Sequence, residues 1–145
     1  REFNVARHDL LAREFSGARE TLAELDRRGY PLGLVTSKSR AIGERGLRLI
    51  SIDGFFRTEV YMDDTERHKP YPDPLWLALD RLGLRDRADQ VLYVGDSTHD
   101  LRAGRAAGVR TAAALWGPFP PESLHALKPD HVLATIEELL ELCPG

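Results

Sequence analysis

Short apolar runs alternate along the chain with longer stretches in which apolar residues recur every three or four positions. The clearest run is Val-Leu-Tyr-Val at 91–94, bounded by Gly95 and Asp96. That length and composition predict a buried strand. Similar signals predict strands at 32–35, opened by Pro31, and near 58–62, 111–115 and 131–133, the last as an edge strand. Helices are predicted at 18–28 with Leu22 and Leu25 inward, and at 40–50 with Ile42, Leu47 and Ile50 inward. Further helices fall at 75–82 and 101–107, with a helical turn or two at 122–127. Asp73 before Pro74 reads as an N-cap and first helical position, and Thr135 with Glu138 as the capping box of a last helix to Leu142. Gly29, Gly83 and Gly108 close three of these helices. A helix is also expected at 1–11, with a break at 15–17.

Buried strands alternating with helices describe an α/β fold, a three-layer Rossmann-like parallel sheet with helices on both faces. In such sheets ligands bind beyond the carboxyl ends of the strands. Thr36 and Asp96 stand at two such ends, and Lys69 lies on the loop after a third strand.

Composition narrows the class. The 145 residues carry a net charge of −3, with acid and base interspersed, 42% hydrophobic and 30% charged residues. This suits one folded domain without a basic face for nucleic acid. The apolar runs are too short to span a bilayer. A single cysteine, Cys143, excludes an internal disulfide and suits a cytoplasmic protein.

The chemistry centres on Gly-Asp-Ser-Thr-His-Asp at 95–100. Gly95 is expected to let the backbone turn, Ser97 or Thr98 to cap a helix, and Asp100 to fall in its first turn. Four residues apart, Asp96 and Asp100 can point to one side. Converging carboxylates repel, a divalent cation relieves the repulsion, and oxygen-only ligands favour Mg²⁺. Each Asp alone reads equally as a turn or cap residue. Thr36 and Ser37 offer a hydroxyl and backbone N–H groups before a helix, an anion site or a plain cap. Lys69 is either a solvated lysine or a point charge for phosphate oxygens, on a loop stiffened by Pro70, Pro72 and Pro74. His68 reads as a loop residue and His99 as solvent-facing. Hydroxyl, lysine and carboxylate pair together describe a phosphoryl-transfer site with no nucleophile at a strand end. Asp63-Asp64 is the nearest candidate and reads as loop.

These motifs are Leu-Val-Thr-Ser at 34–37, Lys69-Pro70 with Pro72-Asp73-Pro74, and Gly-Asp-x-x-x-Asp at 95–100. In that order they resemble the haloacid dehalogenase superfamily of hydrolases, in its phosphoglycolate phosphatase and pyrophosphatase-like branch. The resemblance runs from about residue 16 to 140. It implies that Thr36, Ser37 and Lys69 bind the phosphoryl group, that Lys69 is also catalytic through its pairing with a nucleophile, and that Asp96 and Asp100 hold Mg²⁺. It implies a small phosphorylated substrate selected by a cap domain. The family's first motif, Asp-x-Asp-x-Thr on a central strand between those ending at Thr36 and Asp96, is not in the sequence. The expectation is therefore a C-terminal portion of a longer protein. Residues 1–15 would then hold the last helix of a preceding cap and a linker, and 16–145 a core domain without its first strand. The 32 residues between Thr36 and Lys69 leave no room for a cap of the other type.

Three alternatives stand beside a phosphatase. One is a catalytically inactive binding or regulatory module of this fold. A receiver-like domain is disfavoured by the order Thr36, Lys69, Asp96. A dehalogenase is disfavoured by Gly95-Asp96, where that branch typically carries Ser-Asn. Substrate identity and oligomeric state are not legible.

Overall fold

The computed structural model describes residues 16–145; the helix expected at 1–11 and the linker beside it lie outside them. In chain order the elements are α1 (Ser16–Arg27), β1 (Gly33–Val35), α2 (Arg40–Leu49), β2 (Thr58–Val60), α3 (Asp73–Leu82), β3 (Leu92–Gly95), α4 (Thr98–Ala107), β4 (Arg110–Ala114), α5 (Pro121–His125), β5 (His131–Leu133) and α6 (Leu139–Leu142). Single turns of 3₁₀ helix fall at Met62–Asp64 and Ile136–Glu138, and a longer kinked one at Arg85–Gln90.

Among the described residues the periodicity places the main helices correctly. Ala18, Leu22 and Leu25 lie on one face of α1 and are buried in the core. Gly29, Gly83 and Gly108 adopt φ of 91°, 71° and 87°, a left-handed conformation that glycine enters without a Cβ penalty. The break expected at 15–17 is absent from 16 onward. Gly17 is helical, since glycine costs a helix only about 1 kcal/mol and Ala18 beside it is fully buried.

Two other details differ from the pattern. In α2 the inward face is Gly43, Gly46 and Leu47, whereas Ile42 is 55% exposed. The reason is Tyr61, buried just beyond β2, whose ring occupies the space where a Cβ on Gly43 would stand. The helix thus approaches the ring with its smallest residues and turns Ile42 outward. At the C-terminus, Thr135 makes no side-chain cap. The Glu138 carboxylate instead accepts from the Ala134 N–H at 3.2 Å, because the segment opens as a 3₁₀ turn. Asp73 similarly begins α3 rather than capping it, and pairs with Arg67 at 3.1 Å.

All strand pairings are parallel, but they form two sheets. β1 pairs with β2 in the register Gly33↔Thr58, while β4 lies between β3 and β5. Helix α3 packs on β1 and β2 and on α4, which covers β3 and β4, so it bridges the halves. Between β1 and β3 runs a cleft of about 640 Å³, lined by Val35, Val94, Leu75 and Leu79 among other apolar residues.

The Gly43–Tyr61 contact generates a prediction. Glycine to alanine in a helix normally stabilises by about 1 kcal/mol. Here Gly43→Ala should destabilise by about 1–3 kcal/mol, because the added methyl overpacks a buried ring. Urea unfolding of the protein carrying this domain measures the sign directly.

Candidate active site

β3 runs through Val94 and Gly95 and delivers Asp96, 2% exposed, at its end. Ser97 then caps α4. Its hydroxyl accepts from the Asp100 N–H at 3.0 Å, and the Asp100 carboxylate accepts in return from the Ser97 N–H at 3.1 Å. The same Oδ2 also accepts the Asp96 N–H at 3.0 Å. Gly95 does not turn the chain through a left-handed conformation; the positive-φ glycines are elsewhere. It is glycine because the Cβ of Asp100 lies against it, where a side chain would overlap.

The other Asp100 oxygen takes the Lys69 ammonium at 2.8 Å, and both side chains are almost wholly buried, 3% and 2% exposed. The Lys69 Nζ also donates to the Tyr93 hydroxyl at 3.4 Å. One bonded cluster thus joins Lys69, Tyr93, Asp96, Ser97 and Asp100. Asp100 is more than the first-turn acid of the sequence reading: it braces the 96–97 backbone and partners the lysine. In the sequence Tyr93 reads only as an apolar strand residue. Its signal was a phenol in a buried strand, whose hydroxyl needs a partner.

Thr36 is buried at the end of β1, its N–H paired to the Val60 carbonyl and its Oγ1 accepting from the Lys38 N–H at 3.2 Å. Ser37 is exposed in the bend before α2, and Ser39 caps α2 through backbone conformation alone. Below this loop lies a network that sequence reading missed. The Arg40 guanidinium stacks 4.6 Å from the Tyr61 ring centre and grips both oxygens of Asp64, at 3.0 and 2.8 Å. Burial pushes the Asp64 carboxyl up, but the Tyr61 N–H and Arg40 outweigh it and hold it below the ordinary value. The Met62 N–H meets the Lys38 carbonyl at 2.9 Å, and the His68 ring donates to the Met62 carbonyl at 3.0 Å. His68 therefore ties its loop toward the Thr36 loop. Asp64, half of the nearest nucleophile candidate, is committed to Arg40. His99 is exposed, as expected.

The structure thus unites Lys69, Asp96 and Asp100, and places Thr36 and Ser37 at the end of the strand across the cleft. Among the described residues, no three His, Cys, Asp or Glu side chains gather as a ligand set.

A buried lysine meets Asp100 beside Asp96 at the end of a parallel strand in this α/β frame. The chain belongs to the haloacid dehalogenase-like hydrolases, whose family model matches residues 1–114. It is 42% identical over 142 residues to pyrophosphatase PpaX of Bacillus velezensis, and 41% identical to that of Bacillus mycoides. The alignments cover 98% of this chain but only 65% of either relative's length. Among solved structures, a predicted phosphoglycolate phosphatase from Haemophilus somnus superposes with TM-score 0.78 at 28% identity, over 86% of this chain and 55% of that one. A HAD-superfamily hydrolase from Geobacter sulfurreducens superposes with TM-score 0.71 at 30% identity, over 86% and 57%.

Breaking a buried pair of this kind costs about 3–5 kcal/mol. Asp100→Ala should reach that range, because it removes the Lys69 partner and the α4 capping box together. Asp100→Asn, which keeps an acceptor for the 96–97 N–H groups, should lose distinctly less. Urea unfolding of both variants, compared with the parent, checks the order.

Proposed function

We propose that this chain supplies most of the catalytic domain of a Mg²⁺-dependent phosphatase, acting on a small phosphoester or pyrophosphate. The observation that carries this reading is the buried cluster in which Lys69 and Asp100 meet beside Asp96. A fixed ammonium and carboxylates at the mouth of a strand are the groups that position a phosphoryl group and a hard cation. The similarity to pyrophosphatases of 42% identity supports the same class.

The donor set fits Mg²⁺: Asp96 and Asp100 offer only carboxylate oxygens, and this ion binds through one or two carboxylates plus substrate phosphate. Asp96 would hold it directly, and Asp100, whose oxygens already take N–H groups and Lys69, through water. When bound, Mg²⁺ supplies charge neutralisation at the phosphoryl oxygens. Thr36 Oγ1 and the Ser37 N–H hold those oxygens from the other side. Lys69 holds its charge beside phosphate and nucleophile through the transfer.

The nucleophile in this reading is an aspartate outside these residues. Its carboxylate attacks phosphorus, the bond to the leaving oxygen breaks, and the leaving group takes a proton. Water then cleaves the aspartyl-phosphate and releases inorganic phosphate. The strand bearing that aspartate would sit between β1 and β3, where the apolar cleft supports the reading. Residues 1–15 would be the end of a cap domain that selects the substrate, and 16–145 the rest of the core. Among the described residues no helix is long and apolar enough to cross a membrane, and the reading assigns the protein to the cytoplasm.

In the longer protein, Asp96→Asn and Lys69→Ala should each cut Mg²⁺-dependent phosphatase turnover by about 10²-fold or more, since each removes fixed charge aimed at the reacting group. Lys69→Arg should rescue poorly, because the planar fork does not fit a slot shaped around a buried ammonium. Full turnover by the Asn variant would defeat the assignment of Asp96.

The 145 residues alone should neither hydrolyse a generic phosphoester nor unfold cooperatively, and should do both once the preceding segment is restored. Net domain stability is about 5–15 kcal/mol, and one absent central strand can consume it. Cooperative unfolding with Mg²⁺-dependent hydrolysis by the bare chain would overturn the proposal. A folded, inactive chain even with that segment restored would favour a binding module.

A further inference from the structure

We infer that Gly117 is a positioning residue for the Asp96 carboxylate, and that the absence of a side chain at 117 is what seats this group for a divalent cation. This rests on the reading of Asp96 as a cation ligand. A Cβ built on Gly117 would stand 2.6 Å from Asp96 Cβ, 2.8 Å from Oδ2 and 2.9 Å from Cγ. Gly117 is not among the positive-φ glycines. Alanine would therefore meet no backbone strain of its own, and the glycine is required for space alone. The nearest obstacle is the root of the Asp96 side chain, not its flexible tip, so rotation of the carboxylate does not remove the overlap.

Neither wall can easily withdraw. Asp96 follows β3 directly and its N–H is held by Asp100. The loop carrying Gly117 is anchored on both sides. The Leu115 N–H bonds the Leu133 carbonyl at 2.9 Å, Trp116 packs on the main core, and Leu115 and Phe119 pack against Leu101, Ala113 and Leu124. Pro118 and Pro120 stiffen the remainder. A methyl at 117 therefore displaces the carboxylate and leaves the loop in place. The groups that orient a metal ligand typically change affinity by about 10- to 100-fold when altered.

The test is calorimetric titration of Mg²⁺ into the longer protein and its variants. Asp96→Asn should abolish binding. Gly117→Ala should raise Kd by about 10- to 100-fold, and activity should recover at correspondingly higher Mg²⁺. Lost binding in Asp96→Asn with parental Kd in Gly117→Ala overturns the inference. Unchanged binding in Asp96→Asn overturns the parent reading instead. If Gly117→Ala does not fold, the double variant Gly117→Ala/Asp96→Gly decides. Its folding supports the inference, since the opposing side chain is gone. Its failure shows that the glycine serves the loop itself and overturns the inference.

Discussion

The site depends on one buried ion pair. Removing an ammonium and a carboxylate from water costs several kcal/mol for each ion, and attraction offsets this only with good geometry and full hydrogen bonding. Lys69 and Asp100 meet that condition. One carboxylate oxygen takes the ammonium at 2.8 Å, and the other takes two backbone N–H groups at the end of β3. The pair therefore also fixes a conformation. It ties the proline-rich loop, the strand end and the first turn of α4 to a single point, and Asp96 is carried on the backbone so held. Gly95 follows from the same constraint, because only glycine lets Asp100 come close enough to reach that backbone.

Much of this was legible in the chain. Strand and helix periods separate cleanly, so the α/β architecture, the glycine stops and the order of the motif residues followed from pattern. The spacing of Asp96 and Asp100 pointed to the candidate site, where the structure places both buried around the end of β3. What pattern could not show was who partners whom. Two carboxylates four residues apart suggest mutual repulsion, whereas Asp100 is neutralised by a lysine 31 positions away in sequence. A period of 3.6 put Ile42 inward, but the face of α2 was decided by the Tyr61 ring meeting Gly43. Thr135 and Glu138 satisfy the spacing of a capping box, yet a 3₁₀ opening moved the carboxylate to a different amide. The first two outcomes are set by contacts between distant segments, which local propensity does not encode.

The loop under Thr36 illustrates the same point. Asp63-Asp64 read as a polar stretch because nothing nearby in sequence explained its charge. In the fold, Arg40 approaches from α2, stacks on Tyr61 and takes both Asp64 oxygens. The Met62 N–H then reaches the Lys38 carbonyl. Asp64, which looked solvated, is part of the floor that shapes the Thr36 loop, while Asp63 stays exposed.

The candidate functional groups are divided between the two sheets. Thr36 and Ser37 belong to the β1–β2 half, and Asp96 and Asp100 to the β3–β4–β5 half, with Lys69 bonded to the second. Helix α3 packs against both halves on one side. Within the sheet plane, β1 and β3 are separated by an apolar cleft. Open strand edges carry unpaired N–H and C=O groups that favour pairing with an added strand. A strand seated there would bury the cleft and bond both edges, and its position would set the distance from hydroxyl to carboxylate pair. On the proposed function, a strand seated there would also complete the geometry that positions a phosphoryl group. On that proposal, stability and catalysis would both rest on one set of backbone hydrogen bonds.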